Sequence, residues 1–108
     1  MKDGLYKVHF QVPGDQGAGV VVLSGGIIRG GDSSIYYHGS YTTEGDQLKA
    51  QVKTDLHTKV PGMASVFGVD RVNITLIGKI NGDTAALKGT AKEAPGVSFT
   101  AALTKIAD

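Results

Sequence analysis

A two-residue alternation of apolar and polar side chains recurs along most of this chain and constrains its fold more than any other feature. In the segment from Leu5 to Val12, apolar residues at every second position alternate with Lys7, His9 and Gln11. This period is that of a β-strand with one face in a core and the other in water. No segment has the spacing of a convincing amphipathic helix. The sequence therefore predicts an all-β fold.

Glycine-rich turns divide the alternating segments into about eight short strands. The sequence includes 16 glycines, and Asn81-Gly82 between two alternating segments is the strongest hairpin signal. After Gly30-Gly31, the side chains of Asp32 and Ser33 are suited to hydrogen-bond the backbone of a tight turn. Residues 13–17 and 93–96 are also predicted to be turns. The predicted strands span residues 5–12, 18–23, 27–29, 35–41, 47–54, 71–80, 84–91 and 97–104.

These strands can close into a barrel or stack as a sandwich, and a barrel is favoured because closure alone removes exposed sheet edges. We predict an antiparallel up-and-down barrel of about eight strands, formed as a single domain by residues 1–108. Residues 59–68 lack the alternation and are predicted to form a short helical or irregular connection. Small residues on the apolar faces suit strongly curved strands or a partly hollow interior: Gly39, Ala50, Gly78, Ala85 and Ala101.

Two strands carry more apolar side chains than a strand with one wet face needs. The run from Ala18 to Leu23 is continuously apolar, which predicts a strand buried on both sides or lying at an interface. In the aromatic strand predicted at residues 35–41, Tyr37 and Tyr41 are expected to point into the barrel, whereas Tyr36 and His38 are expected to face outward. An outward-facing tyrosine favours association with another protein surface.

The sequence offers no catalytic or metal-binding constellation. It contains no cysteine, which excludes disulfides and thiolate chemistry. His9, His38 and His57 lie on separate predicted elements, and most carboxylates lie at turns, where they hydrogen-bond the backbone. We therefore expect a protein that is not an enzyme and that uses neither a metal nor another cofactor.

Charge and the first residues bear on partners and location. The 11 basic and 10 acidic residues give a net charge of +1, which offers no electrostatic reason to expect binding to nucleic acid or to an anionic membrane. The start of the sequence lacks the apolar core of a signal peptide, and no stretch approaches the length of a membrane span. A cytoplasmic location is expected.

Five short segments stand out as a set: Met1-Lys2-Asp3-Gly4-Leu5-Tyr6, Gly30-Gly31-Asp32, Tyr37-His38-Gly39, Ser65-Val66-Phe67-Gly68 and Ala94-Pro95-Gly96-Val97. They resemble segments of the GrlR-like negative regulators of bacterial type III secretion. The resemblance spans most of the chain, and its N-terminal third is the most specific part. It implies a small, lipocalin-like antiparallel barrel that is dimeric, has an apolar cavity and has no enzymatic activity. Proteins of this kind repress by binding a transcriptional activator and denying it DNA.

The resemblance also implies roles for particular residues. An acidic four-residue loop after the fourth strand contacts the activator in the best-known member of the family. Glu44-Gly45-Asp46-Gln47 stands at the matching position and retains two of the four carboxylates, so Glu44 and Asp46 are the expected partner contacts. Together with the apolar run at 18–23, the implied dimer makes Val20, Val22 and Tyr36 the expected dimer contacts.

A second hypothesis is a carrier or sensor of a small apolar molecule. In that case the barrel interior would hold the ligand. The apolar and aromatic residues expected to line this cavity are Tyr6, Phe10, Tyr37, Leu76 and Phe99.

Overall fold

Eight antiparallel strands pair in sequence order and close into a barrel in the computed structural model, which describes residues 1–59 and 71–108. Closure comes from pairing of the last strand with the first. The predicted all-β, up-and-down barrel is thus confirmed and is consistent with a lipocalin-like fold. Most of the connection predicted at residues 59–68 lies outside the described residues. The strands are β1 Gly4–Val12, β2 Asp15–Ser24, β3 Ile27–Gly31, β4 Ile35–Glu44, β5 Gln47–Leu56, β6 Val72–Asn81, β7 Thr84–Ala91 and β8 Ala94–Ala107.

Two predicted turns are shorter in the structure than in the prediction. The break expected at residues 13–17 is limited to Pro13 and Gly14, because β1 and β2 pair as far as Val12 and Asp15. The break expected at 93–96 is wrong from Ala94 onward, since β8 begins at Ala94, which pairs with Ala91 across a register shift in β7. Cross-strand pairing therefore extends into residues whose local preference is for a turn.

The barrel interior is filled by the alternate, inward-facing residues of all eight strands. The most deeply buried large side chains are Tyr6, Leu23, Leu48 and Val72, and each such burial contributes about 1.5–3 kcal/mol to stability. At Gly39 and Gly78 an added Cβ would overlap a carbonyl oxygen of the adjacent strand. These glycines let neighbouring strands approach closely, in line with the strong curvature that their position in apolar faces predicted.

The outer face of β2 corrects one prediction and leaves another open. Val21 and Leu23 are buried, whereas Val20 and Val22 are 44% and 46% exposed in the single chain. Burial on both sides is therefore wrong for this chain by itself, because no second layer of the described structure covers the outer face. The orientation of the tyrosine strand agrees with expectation: Tyr37 is buried, and Tyr36 is 40% exposed.

The up-and-down order sorts the turns between the two ends of the barrel. The end that carries the turns after β1, β3 and β7 is called the odd end here, and the end that carries the turns after β2, β4 and β6 is called the even end. Within the described residues, no helix is long and apolar enough to cross a membrane. The two ends differ in chemistry, and each contains residues that the sequence had marked as candidate sites.

Candidate functional site

A pocket of about 530 Å³ lies at the odd end of the barrel. Aromatic side chains form its inner wall: the rings of Phe10 and Tyr37 meet edge to face with centroids 5.4 Å apart, and those of Phe10 and Phe99 stack at 6.1 Å. Residues of the first half of β2 and of the β3–β4 turn form the rim. The described lining residues are Phe10, Asp15, Gln16, Gly17, Ala18, Gly19, Val20, Gly31, Asp32, Ser33, Ser34, Ile35, Tyr37, Thr54, Val72, Ile74 and Phe99.

The barrel interior below this pocket is nearly full. A second cavity, of about 50 Å³, is lined almost entirely by apolar side chains and shares Phe10, Tyr37, Thr54, Ile74 and Phe99 with the larger pocket. These shared residues form the partition between the two spaces. Because an engineered cavity that binds benzene has a volume of about 150 Å³, the inner cavity is too small for a drug-sized organic ligand. Any such ligand would bind at the odd end rather than in the centre of the barrel.

Asp32 organises the turn that forms one side of the pocket rim. Its Oδ1 accepts hydrogen bonds from the backbone N–H groups of Ser34, at 2.9 Å, and Ile35, at 2.7 Å. Its Oδ2 accepts a hydrogen bond from the Tyr37 hydroxyl. The backbone bonds are those expected of an aspartate at a tight turn. The bond from Tyr37 joins the turn to the aromatic wall of the pocket.

The protonation states of this pair follow from the same contacts. Burial alone would raise the pKa of Asp32, but the hydrogen bonds from Tyr37, Ile35 and Ser34 stabilise the carboxylate and hold its pKa below the ordinary value. Burial, followed by the bond to Asp32, raises the pKa of the Tyr37 phenol far above its usual range. At neutral pH the pair therefore consists of a carboxylate and a protonated phenol that donates to it.

Contacts from the end of β5 hold the same turn in place. The backbone N–H of His57 donates to the Ser34 carbonyl at 2.9 Å, and Nε2 of His57 lies 2.9 Å from the Asp32 carbonyl oxygen. The Ser34 hydroxyl donates to the Thr58 carbonyl, also at 2.9 Å. The turn that holds Asp32 is thus positioned by the residues that follow β5 as well as by its own hydrogen bonds.

Gly19 on β2 provides the space that Tyr37 needs. A Cβ at this position would lie 2.7 Å from the Tyr37 hydroxyl oxygen. The missing side chain lets that hydroxyl reach Asp32 across the rim. The sequence predicted the turn role of Asp32 and the inward direction of Tyr37 separately. It did not predict their contact, for which the only local signal is an aspartate in a turn five residues before an inward-facing tyrosine.

The predicted cavity residues fall into three groups. Phe10, Tyr37 and Phe99 meet in the wall of the pocket, and Leu76 lines only the small inner cavity. Tyr6 lines neither space. It is fully buried toward the even end, where its hydroxyl donates to the Lys2 carbonyl at 2.6 Å.

The candidate partner contacts lie at the even end, opposite the pocket. Glu44 ends β4, Asp46 lies in the two-residue turn before β5, and both are exposed. The Ile80 N–H donates to the Asp46 carbonyl at 2.7 Å, which fixes the turn against β6. Neither carboxylate has a hydrogen bond or an ion pair within the described part of the chain.

The candidate dimer contacts form a short apolar row on the outer surface. Val20 pairs with Gly31, and Gly31 pairs with Tyr36 on the next strand, so the glycine leaves the two larger side chains without a bulky neighbour between them. Val22 follows on the same face of β2, opposite Arg29. The Tyr36 ring stacks on the His38 ring with centroids 5.8 Å apart.

Across residues 1–59 and 71–108, no group of three or more histidine, cysteine or carboxylate side chains is arranged to hold a metal ion.

Comparisons with known proteins add no family assignment to these observations. No protein-family model matches the sequence, and no curated protein is significantly similar to it.

Proposed function

We propose that this chain is a regulatory binding protein of the GrlR-like kind, which represses by holding a transcriptional activator through protein–protein contact. The observation that carries this proposal is the exposed acidic hairpin turn with Glu44 and Asp46 at the even end. Its support from sequence is the resemblance of the N-terminal third to that family. On this proposal the protein acts by binding and not by chemistry, and it works in the cytoplasm.

Charge explains how such a turn would compete with DNA. A surface that binds DNA must be basic, because the phosphates supply most of the binding energy. Two carboxylates held at the tip of a paired hairpin present negative charge to that surface before other contacts form. Asp83 in the neighbouring β6–β7 turn is also exposed at this end and adds to the same field.

The test is capture of a DNA-binding regulator from a lysate of the source cells. The wild-type chain is expected to retain a regulator that mass spectrometry identifies, and the double reversal Glu44→Lys with Asp46→Lys is expected to lose it. Asp15→Lys reverses an exposed charge at the odd end and serves as the matched control. Retention by the double variant, or the absence of any DNA-binding protein with the wild type, would refute the proposal.

A second candidate function is the binding of a small apolar molecule at the odd end. The pocket there, about 530 Å³, lies within the usual size range of ligand sites, and Phe10, Tyr37 and Phe99 provide its apolar wall. Native mass spectrometry of the purified chain is expected to reveal a bound small molecule. Phe10→Ala should lower its occupancy, whereas Ile77→Ala, on the outer face of β6, should leave it unchanged.

A further inference from the structure

We propose that the pocket at the odd end binds an amphiphilic cation, whose apolar body rests on Phe10 and Phe99 and whose positively charged, hydrogen-bond-donating head lies against Asp32. This inference rests on the second candidate function, the binding of a small molecule in that pocket. It goes further by fixing the sign of the ligand's charge and the position of its polar end.

The charge of the pocket lining is the first reason. Among the described residues that line it, Asp15 and Asp32 carry carboxylates, and none carries the side chain of lysine, arginine or histidine. An anionic head, such as that of a fatty acid, would be repelled, because its charge would lie beside Asp32 and no cationic side chain belongs to the described lining; His57, which contacts the Asp32 backbone, is not among the lining residues. A cationic head is attracted by the Asp32 carboxylate instead.

The remaining hydrogen-bonding capacity of Asp32 is the second reason. A carboxylate has about four acceptor positions. Among the described residues, Ser34, Ile35 and Tyr37 occupy three of them and none occupies the fourth, so that position and the net charge face the rim. An ammonium or protonated amine donates to that position, whereas an ether or a carbonyl group cannot.

The aromatic wall is the third reason. The Phe10 ring contacts the rings of Tyr37 and Phe99, and all three residues line the same pocket. These rings provide the apolar surface for the body of the ligand, and Asp32 at the rim meets its head, so one site suits both parts of an amphiphile.

A purely structural role for Asp32 makes a different prediction. If the carboxylate served only the turn and Tyr37, Asp32→Asn would leave ligand preference unchanged, since an asparagine oxygen still accepts from the N–H groups of Ser34 and Ile35. The proposal requires instead that this variant lose its preference for a cationic head.

The experiment compares three probes that share a twelve-carbon chain, namely dodecylammonium, dodecanol and dodecanoate. Isothermal titration of the full chain, below micelle-forming concentrations, is expected to give one site that binds dodecylammonium roughly tenfold more tightly than dodecanol, with dodecanoate weakest. Asp32→Asn should bring the ammonium affinity down to that of the alcohol and change the alcohol affinity much less, because a neutral hydroxyl also bonds to the asparagine amide. Asp83→Asn, which removes an exposed carboxylate at the even end, controls for general charge and should behave as the wild type.

Each outcome supports or overturns the inference. Equal binding of the three probes, or tightest binding of dodecanoate, overturns the choice of charge while leaving a small-molecule pocket in place. Binding of none of them overturns the pocket function as well. If Asp32→Asn and Asp83→Asn lose equal amounts of affinity for dodecylammonium, the preference for a cationic head follows from overall charge, and the role of Asp32 is overturned. If Asp32→Asn does not fold, the head-group comparison on the wild-type chain still decides the charge.

Discussion

At the scale of single residues, the hydrogen bond from Tyr37 to Asp32 is the contact that links the parts of the odd end to one another. It joins the β3–β4 turn to the aromatic wall of the pocket, and it depends on the space that Gly19 leaves for the hydroxyl. The carboxylate is only partly buried, so water screens part of the electrostatic interaction. The phenol ring, in contrast, is 6% exposed.

Removing this hydroxyl should destabilise the fold. Tyr37→Phe leaves the ring packed but deprives Asp32 of one donor, and we expect the free energy of unfolding to fall by about 1–2 kcal/mol. Urea denaturation followed by circular dichroism measures the change. Tyr36→Phe removes a hydroxyl from the exposed neighbour and should change the free energy by less than about 0.5 kcal/mol. Equal effects of the two variants would show that the bond to Asp32 contributes little.

The lowered pKa of Asp32 gives stability a definite dependence on pH. The carboxyl of an unfolded chain titrates near a pKa of about 3.9, and that of the folded chain titrates lower, so the folded state favours the ionised form. This contribution is complete above the unfolded pKa and is lost as pH falls through the folded pKa. The stability difference between wild type and Asp32→Asn should therefore shrink as the pH is lowered from 6 to 3.

Denaturation curves at several pH values test this expectation. Glu93 and Asp108 also have lowered pKa values, Glu93 through its hydrogen bonds with Asn73 and Asp108 through its bond with Lys105. Both groups are present in the two proteins compared, so their contributions cancel in the difference. A difference that stays constant across this pH range would contradict the role given to Asp32.

At the scale of elements, the strands are defined by pairing and by the glycines that let paired strands bend. Gly78 on β6 faces the β7 backbone so closely that no side chain fits between them. Because the obstructing atoms belong to the backbone, a rotamer change cannot relieve the contact.

Gly78→Ala should therefore be costly. We expect a loss of about 1–3 kcal/mol in the free energy of unfolding, since the added methyl group must push β7 away from β6. Gly96→Ala is the matched control, because a Cβ there meets no atom within 4 Å and the backbone is not in the left-handed region. Thermal and urea unfolding of both variants measure the effect. A Gly78→Ala protein as stable as the control would contradict the close approach.

Sequence patterning predicted which face each strand buries more reliably than where each strand ends. The alternation in β1 assigns Tyr6 and Phe10 to the same inner face, and both are inward in the structure. Turn residues misplace the starts of β2 and β8, because cross-strand hydrogen bonds override local preference at Asp15 and Ala94. Alternation shows which side chains point inward but not how far along the barrel axis each one lies. The prediction therefore placed Tyr6, which is near the even end, in one cavity with Phe10, Tyr37 and Phe99, which are near the odd end. The strand directions of an up-and-down barrel separate these positions.

The contact between Asp32 and Tyr37 could not be derived in that way. It requires the register of β3 against β2, which brings Gly19 beside the Tyr37 hydroxyl, and no local pattern fixes that register. The sequence thus predicted the aromatic wall of the pocket but not the polar group at its rim.

At the scale of the whole molecule, the barrel separates two kinds of surface. The apolar pocket is at the odd end, and the acidic turn is at the even end. The row formed by Val20, Gly31 and Tyr36 lies on the outer side of the barrel next to the odd end, and Val20 and Gly31 also line the pocket. A second copy of the chain can cover this row without obstructing the acidic turn.

We therefore expect a dimer in solution that depends on the outer face of β2. Light scattering during gel filtration should give twice the chain mass for the wild type and the chain mass for Val22→Lys. Ile77→Lys, at a site on β6 with 43% exposure against 46% for Val22, should remain dimeric. A wild-type chain with the monomer mass, or equal disruption by both variants, would refute this interface.

The bond between Tyr37 and Asp32 also has an optical consequence. The sequence has four tyrosines and no tryptophan, so the ultraviolet emission of the chain comes from tyrosine alone. A carboxylate that accepts a hydrogen bond from an excited phenol quenches its emission by taking up the proton, so Tyr37 is expected to contribute little to the fluorescence of the chain. Asp32→Asn, which removes the carboxylate, should brighten the emission. The bond between Tyr37 and Asp32 can thus be followed by fluorescence without attaching a dye.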